Sequence, residues 1–166
     1  MLAASFKVVS SNGDADDFDG FQAGFEAAES PQSEMRNLYA LPRFPGEEQI
    51  DQVSTMALDG SIRTQNAPFV LAQALMNSTH GPHVWDRIVN NWSVINEMFP
   101  SNTIVRMLTG VRWLTDAQTS AAVADFFADR PLPQGQKQLD QHLERLAVNA
   151  AFRTRMEAEL PDALSQ

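Results

Sequence analysis

The chain has 166 residues, no cysteine and a formal net charge of −9 at pH 7. That length suits one domain able to bury roughly 70% of the surface its unfolded chain exposes, and the lack of cysteine excludes disulfides, thiolate nucleophiles and cysteine-ligated zinc. Twelve scattered basic residues against twenty-one acidic ones argue against a nucleic-acid backbone or an anionic membrane as partner. With no apolar run approaching the ~18 residues of a membrane span and no signal-peptide pattern at the start, the chain is expected to be soluble and cytoplasmic.

In chain order, Leu2 to Ser11 reads as a helix ended by Gly13 in the left-handed region. Asp16 or Asp17 is placed to cap a second helix with Phe18, Phe21, Phe25 and Ala28 inward, and Ser30-Pro31 supplies a capping serine and a first-turn proline to a third. The third carries Met35, Leu38 and Leu41 and ends before Pro42, since proline lacks the amide donor and disfavours helix in the residue ahead of it. Pro45-Gly46 opens a fourth helix with Ile50, Val53, Met56 and Ala57 inward and Gly60 at its close. Thr64 or Asn66 caps a fifth.

From Arg63 to Ile95 the chain spells two amphipathic helices joined by a break at Gly81-Pro82. In the second, Trp85, Ile88, Val89, Trp92, Ile95 and Phe99 recur at three- and four-residue steps. Both tryptophans are expected in the core, because each has a large apolar area to bury against a neighbouring helix. Pro100-Ser101 opens a helix carrying Ile104, Val105, Leu108 and Val111, and Thr115-Asp116 opens another with Val123, Phe126 and Phe127, ended by Pro131 and Pro133. The last long helix aligns Leu139, His142, Leu143, Leu146 and Ala150, and its continuation carries Phe152, Met156 and Leu160 before Pro161. About nine or ten helices with Pro, Gly, Ser and Asn punctuation predict an all-α chain. Short connections set consecutive helices antiparallel, and such pairs in series stack into an irregular, HEAT-like α-solenoid, a single helical-repeat domain over residues 1–166. No residue-level repeat at a fixed period is visible.

Chemistry is sparse. Asp17, Asp19, Gly20 and Glu26 occupy four positions of a calcium-loop pattern, but Ala15 and Gln22 stand where the first carboxylate and an apolar anchor belong. The plainer reading is a group of carboxylates that cap and favour the positive end of the next helix. His80, His83 and Asp86 lie at three-residue steps, yet Gly81-Pro82 separates the histidines, and no His-Glu-x-x-His occurs. His142 beside its apolar stripe reads as a hydrogen-bonded structural histidine. With no serine elbow and no phosphate loop, the expected lists of catalytic, cofactor-binding and metal-ligating residues are all empty.

Five fragments in order do carry a resemblance: Ser33 to Leu41; Arg63, Gln65 and Asn66; Gly81, Trp85, Asn91 and Trp92; Phe126 and Phe127; Gln141, Glu144, Asn149 and Arg155. Together they resemble the latter half of the C-terminal helical domain of zinc aminopeptidases, the family of aminopeptidase N and the puromycin-sensitive and endoplasmic-reticulum aminopeptidases. Asn66 stands where that family commonly has Asp, and Phe152 where tryptophan is frequent; capping ability and an aromatic anchor are kept. The resemblance implies a non-catalytic domain that encloses the substrate chamber of a parent zinc enzyme. It also implies an upstream catalytic domain as partner, peptide substrate contacted only indirectly, and zinc held elsewhere in the parent. A helical-repeat module that grips a peptide or protein on its own is the alternative. A stack cut from its upstream neighbour is further expected to expose Leu2, Phe6, Val8 and Val9 and to self-associate through that end.

Overall fold

The computed structural model describes residues 2–164, and the side chains of residues 5–160. Among the described residues the fold is all-helical, with ten α-helices and no strand. The helices are α1 (Leu2–Asn12), α2 (Ala15–Glu26), α3 (Pro31–Leu38), α4 (Glu47–Leu58), α5 (Ala67–Leu75), α6 (Gly81–Asn90), α7 (Trp92–Met98), α8 (Ser101–Met107), α9 (Ala117–Ala128) and α10 (Gln136–Leu164). A 3-10 turn at Leu41–Arg43 precedes α4, and a longer 3-10 segment at Leu108–Trp113 continues α8.

The middle of the stack is α5. Ala67, Pro68, Val70, Leu71, Ala72, Ala74 and Leu75 are all buried, and a helix apolar nearly all round must be covered on every side. It is packed by α4, α6, α8 and both 3-10 segments. On one flank α2 pairs with α3; on the other α10 lies over the 3-10 segment Leu108–Trp113 and α9. Side-chain hydrogen bonds that tie one layer to the next span 30 residues in Arg43 to Gln73 and Gln52 to Gln22. They span 36 in Arg87 to Asp51, 37 in Asn149 to Arg112 and 38 in Arg153 to Thr115. A nearly constant offset of this size is what a stack of two-helix units produces, so the all-helical chain is solenoid-like.

Several local expectations change. Gly13 has no positive φ among the described residues. It is buried where a Cβ would lie 2.7 Å from Phe44 Cε1 and 2.9 Å from the Val9 carbonyl oxygen, so its smallness, not its handedness, is used. The cap of α2 is Asp14 rather than Asp16 or Asp17; its carboxylate accepts from the Asp17 amide, and Asp17 answers from the third helical position in a capping box. Ser30 and Pro31 start α3 as expected, but α3 stops at Leu38, leaving Leu41 and Pro42 buried in the 3-10 turn. Gly60, at φ +91°, follows α4 as expected. Asn66 opens α5 without a side-chain cap bond.

The tryptophan stretch is two helices. Asn91, whose side-chain amide donates to the Arg87 carbonyl, sits at φ −110° and ψ 19° between α6 and α7; an asparagine that bonds nearby backbone offers the chain an alternative to continuous helix. That break separates the fates of the two indoles: Trp85 is 2% exposed, whereas Trp92 is only partly buried against the core. At the far end α10 runs through Pro161 to Leu164, which a proline in the last turn permits because only one backbone bond is given up. The stripe Phe152, Met156 and Leu160 does not face the core; Phe152 and Leu160 are exposed. At the other end Val8 and Val9 are exposed, but Phe6 is half-buried with its ring 5.1 Å from Phe21, so the uncovered apolar end is narrower than expected. The side chain of Leu2, expected in that patch, lies outside the described residues.

Trp85→Ala is expected to cost about 3 to 5 kcal/mol through lost burial and a residual cavity, and Trp92→Ala to cost less, about 1 to 3 kcal/mol. Urea titration of both variants checks this, and a Trp92 cost equal to or above that of Trp85 would contradict the division.

Candidate functional site

Among the residues that carry the family resemblance, the four aromatics Trp85, Trp92, Phe126 and Phe127 meet in space as packing, while Arg63, Gln65, Gln141, Glu144 and Arg155 are exposed. Trp85 and Trp92, on either side of the Asn91 break, enclose Phe126 and Phe127 of α9. The Trp85 and Trp92 rings stand edge-on to Phe126 at 5.4 and 5.3 Å, and Trp92 to Phe127 at 5.6 Å. Edge-to-face rings at these distances are mutually attractive beyond their burial. Gly81 starts α6 where a Cβ would fall 2.6 Å from the Leu75 carbonyl oxygen. Asn149 donates to the Arg112 carbonyl at 2.8 Å, fastening α10 to the 3-10 segment. Arg63, itself exposed, makes an ion pair at 3.4 Å with Glu34, whose side chain is largely covered.

Two polar knots hold α4 and the preceding turn to the α5–α6 corner. Asp51 accepts from His83 Nε2 at 2.6 Å and from Arg87 at 2.9 Å, while Arg87 also reaches Thr55 at 2.8 Å. Asn77 donates its side-chain amide to the carbonyls of Pro42 and Phe44, and its carboxamide oxygen accepts from the amides of Thr79 and His80. His80 Nε2 then donates to the Pro45 carbonyl at 2.8 Å. His80 and His83 are thus committed to different partners, and Asp86 lies exposed on α6. The acidic stretch Asp17, Asp19, Gly20 and Glu26 is helical throughout, with no loop to wrap a cation. Among the described residues no three His, Cys, Asp or Glu side chains stand together as a metal site.

His142 is buried and donates from Nε2 to the Val105 carbonyl at 3.2 Å; the carbonyl can only accept, so this nitrogen carries the hydrogen. Burial first, and the nearby Arg112 charge second, hold its pKa below the ordinary histidine value. One feature was not foreseen from the sequence: Trp113, which falls off the Ile104, Val105, Leu108 and Val111 stripe, stands exposed beside Phe152 and Met156. Its position off the apolar period was the available signal.

A family model described as the ERAP1-like C-terminal domain matches residues 1–148. The chain is 28% identical over 93 residues to aminopeptidase M1-C of Oryza sativa subsp. japonica, 55% of this chain and 10% of that protein. It is 25% identical over 129 residues to aminopeptidase M1-B of the same rice, covering 76% of this chain and 14% of that protein. The chain therefore matches a small part of the length of these relatives, in their C-terminal part.

Because His142 has a lower pKa folded than unfolded, the unfolded chain binds the extra proton first as pH falls. Its contribution to stability is complete above the ordinary value near 6.5, is lost as pH drops from there to the folded pKa, and then levels off. His142→Gln, which can keep a donor to Val105, is expected to flatten the loss of stability between pH 7.5 and 5.5 measured by urea titration. An unchanged slope would show that His142 is not the group responsible.

Proposed function

Since the chain belongs to the family of ERAP1-like C-terminal domains, we propose that it is the non-catalytic helical domain of a zinc aminopeptidase. In this reading it encloses the chamber in which the parent enzyme removes N-terminal residues from peptides, and the parent acts in the cytoplasm. The family match over residues 1–148 carries the proposal, and two aminopeptidases among the relatives support it. Of the residues that match the family, Trp85, Trp92, Phe126 and Phe127 serve packing and Asn149 an interlayer hydrogen bond, which suits a wall. The uncovered Val8 and Val9 end of the stack is where preceding helices of the parent would join.

The zinc belongs to the upstream catalytic domain in this proposal. The three histidines here do not fit a zinc site: their Nε2 atoms are spent on the Pro45 carbonyl, the Asp51 carboxylate and the Val105 carbonyl, in three different places. A metal ligand set needs three or four such groups converging on one point. What the chain contributes is position, with α5 and the aromatic cluster keeping the wall rigid around the chamber.

The purified chain is expected to release no amino acid from aminoacyl p-nitroanilides and to contain no stoichiometric zinc by elemental analysis; zinc-dependent release would overturn the proposal. Sequencing the transcript ahead of this segment provides the second check. His-Glu-x-x-His in the same frame is expected, and a frame without it would favour a separate helical-repeat module.

A further inference from the structure

The last helix leaves an apolar stripe uncovered. Beyond residue 148, where the family match ends, Phe152 and Leu160 are 54% and 44% exposed. With Met156 they form one wall of a groove of about 740 Å³, and Trp113, 65% exposed, stands on the other. At about 100° per residue, positions 152, 156 and 160 fall along one line of α10. Arg153 and Glu157 then flank that line on one side, and Arg155 and Glu159 on the other.

The segment FRTRMEAEL, Phe152 to Leu160, is self-complementary about Met156. Apolar residues mirror each other across it, Phe152 with Leu160, and charges mirror each other with opposite sign, two arginines before it and two glutamates after. We propose that this face of α10, together with Trp113, docks a second copy of the chain in antiparallel orientation across a two-fold axis at Met156. Met156 then lies on Met156, and Phe152 lies on Leu160 of the second copy. Residues on the same flank meet in an antiparallel helix pair, so Arg153 meets Glu157 on one side and Arg155 meets Glu159 on the other. A parallel copy in register sets arginine beside arginine, which is why the charge pattern selects one orientation. A helix laid along the groove also covers Trp113. The ion pair from Arg153 to Glu157 within α10, at 2.7 Å, and the Arg155 guanidinium 5.4 Å from the Phe152 ring are exposed contacts that the second copy exchanges rather than breaks.

Sedimentation velocity over a concentration series of the chain tests this, with circular dichroism to confirm that each variant is folded. Wild type is expected to form a dimer that weakens with salt, and Phe152→Glu to raise the dissociation constant about 30-fold or more, while Val8→Glu leaves it unchanged. The decisive arm uses two charge variants. Arg153→Glu with Arg155→Glu, and Glu157→Arg with Glu159→Arg, are each expected to stay monomeric alone and to form a one-to-one dimer when mixed. A wild type that is monomeric at every concentration, a dimer untouched by Phe152→Glu, or a mixture that remains monomeric would overturn the proposal.

Discussion

The structure depends on how closely other segments approach α5. That helix is short and apolar on nearly every side, so it cannot exist at a surface; it is stable only as the filling between two layers. The approach is tightest at Gly110, in the 3-10 segment after α8. A Cβ there would lie 2.5 Å from the Ala72 carbonyl oxygen and 2.6 Å from Leu75 Cβ. Small residues on both sides, Ala72 on α5 and Gly110 opposite, allow near backbone contact, and close-packed interiors do not tolerate an extra atom at such a point. Because the segment holding Gly110 also carries Arg112 and leads to Trp113, the seat of α10 is set by the same approach.

Fold class was legible in the sequence because it rests on periodicity and punctuation. Ser30-Pro31, Pro45-Gly46 and Gly60 mark helix boundaries through local chemistry, and they act as expected. Three features were not legible. The Asn91 break is invisible to an apolar stripe that continues across it, since Trp92 and Ile95 stay in phase with Trp85 and Ile88. Gly13 reads as a helix terminator until Phe44, thirty-one positions away, is seen against it. The outward turn of Phe152 and Leu160 also escapes a periodicity argument, which reports that a helix has an apolar face but not what that face meets.

The interlayer offset shows why no sequence repeat is visible in a chain that stacks like one. Arg43 to Gln73, Arg87 to Asp51 and Asn149 to Arg112 link segments 30, 36 and 37 residues apart, but each link uses different residue types. What is kept is geometry. The aromatic contacts of Trp85 and Trp92 with Phe126 and Phe127 obey the same rule, since large rings at a layer boundary hold spacing and crossing angle together.

The most direct test of this account compares two glycine substitutions by urea titration. Gly110→Ala is expected to destabilise the chain by about 1 to 3 kcal/mol, because the methyl must push backbone aside. Gly20→Ala, in the middle of α2 with nothing within 4 Å of its Cβ position, is expected to be neutral or to stabilise by about 0.5 to 1 kcal/mol from helix preference alone. Equal tolerance of alanine at the two positions would contradict the claim that close approach to α5 organises the fold.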